Sequence, residues 1–241
     1  MISTENKIIY KIRDFLLDIL FPKFCFGCQT EGTYLCPDCA ATIEISQCNY
    51  CLCEKPIRLP SNGKCRNCDH KNLSGLYSAA PYSNKLVQSL IKKFKYEPYA
   101  KDLVKPLANL LINHLQLLDQ LPDFSGFLLI PIPLGDKKIR RRGFNQAEEI
   151  AKELSTHFHL PLLDNALIKV KENSAQAELE KDQREENIKG VFAVKNAEEI
   201  AGKNILLVDD VYTTGATMEE ATETLKKARA NQVRGVAVAR G

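Results

Sequence analysis

Apolar positions along the chain change their period several times. In the opening segment MISTENKIIYKIRDFLLDILFPKF, Ile8, Ile9, Ile12, Phe15, Leu16, Ile19 and Leu20 recur at helical spacing, interrupted by Lys11, Arg13, Asp14 and Asp18. This predicts an amphipathic helix over residues 1–24 that packs on its own protein. It has neither the continuous apolar run of a signal peptide nor the roughly 20 apolar residues of a membrane helix. No membrane span and a cytoplasmic location are therefore expected.

From residue 73 onward, aliphatic runs alternate with helical segments. GLYSAAPY (75–82), GFLLIPIP (126–133) and NALIKV (165–170) read as strands, while 84–95, 101–118 and FNQAEEIAKELSTHF (144–158) read as helices. VFAV (191–194), NILLVDD (204–210) and VRGVAVA (233–239) are short, β-branched and apolar on both faces, as strands of a covered parallel sheet are. The alternation predicts an α/β domain over 73–241, a parallel sheet flanked by helices.

Residues 25–72 follow neither period. All nine cysteines fall there, eight of them in CxxC pairs: Cys25/Cys28, Cys36/Cys39, Cys48/Cys51 and Cys65/Cys68. A CxxC turn sets two thiolates on one side of a knuckle, and two knuckles complete the tetrahedral sulfur shell that Zn²⁺ prefers. Two structural Cys₄ zinc sites are expected, forming a small double zinc-ribbon module; Cys53 and His70 are left over, either able to substitute as a ligand at the second site but expected as a spare thiol and a surface residue. A disulfide framework is the competing reading, and the lack of a secretory signal weighs against it.

Composition changes the picture little. The 241 residues are 44% hydrophobic, ordinary for a globular chain, and the formal net charge is +3, so any case for nucleic acid must come from local patches. Residues 1–71 carry nine Lys/Arg against eight Asp/Glu. Each Cys₄ zinc site adds about −2, so a docking role suits the module better than phosphate binding.

The candidate chemistry lies in ILLVDDVYTTGAT (205–217). Ligands of open α/β sheets sit beyond the carboxyl ends of the strands, which is where Asp209 and Asp210 fall. The chain must then turn into the helix MEEATETLKKARA. Small residues let backbone N–H groups approach an anion, Gly215 permits unusual dihedrals, Thr213, Thr214 and Thr217 offer hydroxyls, and the helix N-terminus adds its dipole. Phosphate would sit in that turn, and the two carboxylates would accept from sugar hydroxyls or a hydrated cation. A receiver domain needs a phosphoacceptor Asp several dozen residues later, yet only 31 residues follow Asp210. A Walker B strand needs a GxxxxGK[ST] segment, which the chain does not contain.

Two basic groups stand out. KKIRRRGFNQ carries Lys137, Lys138, Arg140, Arg141 and Arg142 without an intervening acid, suited to diphosphate oxygens or to a solvated helix start. Lys85, Lys92, Lys93 and Lys95 lie beside Tyr96 and Tyr99, a mix compatible with single-stranded DNA as well as with a solvated helix face. Lys92, Lys93 and Arg140–Arg142 are the DNA-binding candidates. SAQAELEKDQREENIKG (174–190) is polar and precedes the acidic strand as a lid would, with Gln176 and Arg184 as its candidates.

ILLVDDVYTTGAT resembles the 13-residue PRPP-binding motif of type I phosphoribosyltransferases. With PIPL, RRRGFNQAEEIA, QAELEKDQREENIKGVF and FPKFCFGC, nearly the whole chain resembles the ComF family (competence protein F), which joins a zinc module to a phosphoribosyltransferase domain. The resemblance implies that Asp209 and Asp210 take the ribose hydroxyls and that Thr213, Thr214, Gly215, Ala216 and Thr217 wrap the 5′-phosphate. It also implies that Pro131, Ile132 and Pro133 form the pyrophosphate loop, with Arg140, Arg142, Gln176 and Arg184 beside the leaving group, and that PRPP arrives as its Mg²⁺ complex. The implied function is transfer of a phosphoribosyl group to an unidentified acceptor in support of DNA uptake during natural transformation. The alternatives are a non-catalytic single-stranded DNA or nucleotide binder and a PRPP sensor without turnover. The implied partner is a competence helicase or DNA-processing protein docked through the zinc module.

Overall fold

A computed structural model describes residues 22–96, 100–118, 122–171 and 189–241. Most of the helix expected over 1–24, most of the lid segment with Gln176 and Arg184, and Tyr99 lie outside the described residues. The described residues up to Glu44 form one compact unit and Ile45–Gly241 a second.

The first unit is built around a short helix α1 (Pro37–Ala41) and the turns that carry Cys25, Cys28, Cys36 and Cys39. Its small size leaves little apolar burial, so a chain this short depends on a metal or another staple to hold it.

The second unit starts with two-residue strands β1 (Asn49–Tyr50) and β2 (Arg58–Leu59), followed by β3 (Leu76–Pro81), α2 (Lys85–Tyr96) and α3 (Val104–Leu117). Next come β4 (Phe127–Pro131), α4 (Asp136–Arg142), α5 (Gln146–Phe158), β5 (Leu167–Lys169) and β6 (Phe192–Val194). It closes with α6 (Ala197–Ile200), β7 (Asn204–Tyr212), α7 (Ala216–Lys227) and β8 (Val233–Arg240).

The main sheet has the order β2-β1-β3-β8-β7-β4. β3, β8, β7 and β4 are mutually parallel, and β1 and β2 extend the β3 edge antiparallel. Ile205–Val208 of β7 and Val236–Ala239 of β8 are buried, as two-sided coverage by helices requires. The expected elements recur within a few residues at each end, with one difference. VFAV does not join the parallel sheet: Phe192–Val194 pairs antiparallel with Leu167–Lys169 in a separate two-stranded sheet. Only Phe192 of its three residues is buried, so the run is a half-covered ribbon whose short apolar pattern resembles that of a central strand.

Candidate functional site

β7 lies between β4 and β8, with Val208 in register with Pro131 and Asp209 with Ala237. Its carboxyl end therefore opens where a parallel sheet presents its ligands. Asp210 is buried and Asp209 half-buried. Asp209 Oδ1 accepts from the Asp210 amide at 2.8 Å. Burial, and then the charge of Asp210, push the Asp209 carboxyl up to about 7, against the pull of Lys95 and Arg142. Lys95, at the end of α2, places Nζ 2.9 Å from Asp210 Oδ1. Burial works against its charge, but the Asp210 carboxylate outweighs that and raises the ammonium above its usual range.

Beyond β7 the chain turns at Gly215, which holds φ +83° as the residue capping α7. A Cβ on Gly215 would meet the Tyr212 hydroxyl at 2.2 Å, so glycine is needed both for dihedral and for space. Thr214 Oγ1 accepts from the Ala216 amide at 3.3 Å. Thr213 is exposed, Ala216 and Thr217 are half-buried, and α7 directs its N-terminus at the turn, the arrangement that favours an anion.

A cavity of about 320 Å³ joins these pieces. Asp209, Asp210, Thr213 and Thr217 line it from the β7 end, Ile132, Pro133 and Leu134 from the β4 end, and Lys95, Lys138 and Arg142 supply cations. The β4 loop is fixed by Ile132 N donating to Val208 O at 2.8 Å and by Asn145 Nδ2 donating to Ile132 O at 3.0 Å. Pro131 is the last residue of β4, immediately before this loop.

The basic run divides by helical geometry. Lys138 and Arg142, four apart, share the face of α4 that looks into the cavity. Arg140 and Arg141 are exposed, and neither lines the cavity. Arg142 Nη1 donates to Gln146 Oε1 at 3.0 Å, and the buried Gln146 donates onward to Phe94 O at 3.0 Å. Arg142 Nε is buried without a hydrogen-bond partner among the described residues. In the other basic group, Lys92 is exposed and bonds Gln88, Lys93 is half-buried, and Lys95 belongs to the cavity. Asn145 and Gln146 are site residues that spacing alone did not single out, and Lys95, read only as one of the second basic group, pairs with Asp210 in the cavity. The one local signal was Asn145, two residues after Gly143, at the start of a capped helix.

The cysteines form two groups, each with sulfurs within 4.8 Å of one another: Cys25, Cys28, Cys36 and Cys39, and Cys51, Cys53, Cys65 and Cys68. A Zn–S bond of about 2.3 Å implies tetrahedral sulfur spacings of about 3.8 Å. The observed spacings are 3.6 Å for Cys28–Cys36, 3.4 Å for Cys53–Cys65 and 3.7 Å for Cys65–Cys68. Backbone N–H groups point at the sulfurs, from Cys36 to Cys25 Sγ and from Ile57 to Cys51 Sγ. Such amides, from Cys36, Cys28 and Gly27, outweigh burial and lower Cys25 to about 6; the Cys53–Cys65 hydrogen bond lowers Cys65 to about 7 and pushes Cys53 up to about 12, and one with Cys36 pushes Cys39 up to about 12. Both groups fit a structural zinc ion, which needs thiolates.

The second group corrects one expectation: Cys53 is in it, and Cys48 is not. Asn49 and Tyr50 are extended as β1, and the three steps from Cys48 to Cys51 span roughly 10 Å of such chain. Cys48 lines a separate recess with Arg58 and Leu59. His70 has no place in either group.

Among the described residues, no helix is long and apolar enough to cross a membrane. Residues 139–241 match the model of the phosphoribosyl transferase domain. The chain is 28% identical to "Competence protein F" of Haemophilus influenzae over 90% of each chain. It is 27% identical to "Competence protein ComFC" of Bacillus subtilis, over 84% of this chain and 78% of that one. It is also 27% identical to "DNA utilization protein YhgH" of Escherichia coli K12, over 82% and 79%. An α/β sheet with a phosphoribosyltransferase-type segment, cysteine groups suited to zinc and likeness over most of the chain make it similar to the competence protein F and ComFC proteins.

Proposed function

We propose that the chain binds PRPP as its Mg²⁺ complex and works as a phosphoribosyltransferase-type protein in DNA uptake. The carrying observation is the continuity of one strand and one turn: buried Asp210 and its neighbour Asp209 lead directly into a Gly215-capped helix N-terminus over a single cavity. Carboxylates accept from ribose hydroxyls, and the turn with Thr213, Thr214 and Thr217 donates to the 5′-phosphate. Arg142, with an unpartnered buried Nε, and Lys138 face the side where the diphosphate would lie. Mg²⁺, when bound with PRPP, neutralises the departing diphosphate. Lys95 pairs with the Asp210 carboxylate and orients it, and the walls at Ile132 and Phe192 keep water from the sugar carbon as positive charge develops there. The role in DNA uptake rests on the names of the relatives.

Calorimetric titration with PRPP and Mg²⁺ tests the reading. Saturable binding by the wild type that the Asp209→Asn/Asp210→Asn variant loses supports it, and its absence in the wild type rejects it. A second reading, single-stranded DNA laid beside the cavity, draws on the exposed ring of Tyr96 with the Arg141 and Arg142 guanidinium groups 5.6 and 5.4 Å from its centroid. Affinity for an oligonucleotide that does not fall with added salt would count against it.

A further inference from the structure

The second cysteine group and the phosphate turn are in contact through three side chains. Arg240, near the end of β8, donates from Nη1 to Cys51 O at 2.7 Å and from Nη2 to Cys53 O. The same guanidinium lies 5.5 Å over the ring of Tyr212. Tyr212 is buried, its hydroxyl is hydrogen-bonded with Lys71, and Gly215 rests against it so closely that no side chain fits between. On the other flank Glu219, in the first turn of α7, accepts from the backbone N–H groups of Asn72 and Leu73. Those residues directly follow the knuckle, which is closed by Lys71 N donating to Cys68 O at 3.1 Å. The floor and the helical wall of the turn are thus both fastened to the backbone around the four thiols.

We propose that the Cys51/Cys53/Cys65/Cys68 group, when it holds its metal, is the fixed support of the phosphate turn, that Arg240 is the positioning residue between them, and that metal and phosphoribosyl ligand therefore stabilise one another's binding. This inference rests on the PRPP reading and adds to it a role for one particular metal site. The physical link is specific: Cys51 and Cys53 are ligands through sulfur and acceptors through oxygen, so the ion that fixes their positions also fixes both carbonyls that hold Arg240. Without the ion nothing ties the four sulfurs to one point, the carbonyls lose their spacing, and the forked guanidinium can no longer engage both. Tyr212 and Gly215 then lose the surface that sets the amides of the turn.

Coupling of this kind is reciprocal, which supplies a readout independent of turnover. Zinc release from the intact chain to a chromogenic chelator is followed with and without saturating PRPP and Mg²⁺. The Asp209→Asn/Asp210→Asn variant serves as the correction for metal chelation by free PRPP. One of two equivalents should leave about 10-fold more slowly when PRPP is bound. Arg240→Met should keep two equivalents and the wild-type circular dichroism spectrum, lose that protection, and bind PRPP about 10-fold more weakly. Arg240→Lys, with one donor position and no fork, should fall between. If Arg240→Met does not fold, Glu219→Ala carries the same comparison. PRPP binding with neither release phase altered, or unaltered PRPP affinity in the folded variants, overturns the coupling while leaving the PRPP reading intact. No saturable PRPP binding by the wild type overturns both.

Discussion

Lys95 Nζ sits 2.9 Å from Asp210 Oδ1, joining the last turn of one helix to the acidic end of the central strand β7. The carboxylate side chain is 8% exposed and the ammonium 22%, so neither charge is well solvated and each depends on the other. Removing one partner of such a pair leaves the other buried and uncompensated.

Lys95→Met should therefore destabilise the protein by about 3 kcal/mol, measured by urea unfolding. Lys95→Met/Asp210→Asn should recover part of that loss, because the stranded charge is gone. A loss in the double variant equal to the sum of the Lys95→Met and Asp210→Asn losses would show that the pair is not coupled.

Asp209 gives a pH prediction. Its carboxyl is raised from an unfolded value near 3.8 to about 7, so between those values the folded state binds the extra proton and stability falls as pH rises. The penalty is complete above about pH 7. Asp209→Asn should raise Tm by a few degrees at pH 8 and by little near pH 4, while PRPP affinity is lost at both. A Tm gain that is the same at both pH values would contradict the linkage.

The cysteine assignment separates two substitutions that the CxxC spacing treats alike. Cys48→Ser should retain about two zinc ions per chain, and Cys53→Ser about one. Elemental analysis of the purified variants decides it, and the reverse result would restore Cys48 as a ligand.

Gly215→Ala places a methyl group against the Tyr212 hydroxyl in a backbone region that alanine enters at a cost. It should lower stability by about 1–2 kcal/mol and weaken PRPP binding at least 10-fold. Thr213→Ala, on an exposed position of the same turn, should leave stability within about 0.5 kcal/mol. Equal stability losses would mean that the turn has no special demand at Gly215.

The parts of the site that can be read from sequence are those built by neighbours along the chain. Asp209, Asp210, Gly215 and the start of α7 follow one another without a break, so strand, acid, turn and helix are visible in 13 letters. Lys95 and Gln146 are different, because their partners Asp210 and Phe94 are distant in sequence and helical spacing assigns both only to a helix. The exchange of Cys53 for Cys48 has the same origin: two residues of extended chain at Asn49 and Tyr50, fixed by pairing with Arg58 and Leu59, override a spacing rule that assumes a turn. Phe192–Val194 shows the limit for short apolar runs, which look alike whether a strand lies in the centre of a sheet or in a ribbon beside it.

The strand order also bears on how the chain reaches its native state. Leu76–Pro81 finds its long parallel partner only in Val233–Arg240, so the edge formed early in synthesis waits while more than half of the polypeptide is still to be made. High contact order of this kind slows folding, and an unpaired edge is open to association with other chains during the delay. In a newly made chain, the aggregation hazard and the completion of the ligand site end together, when the β8 strand inserts between β3 and β7.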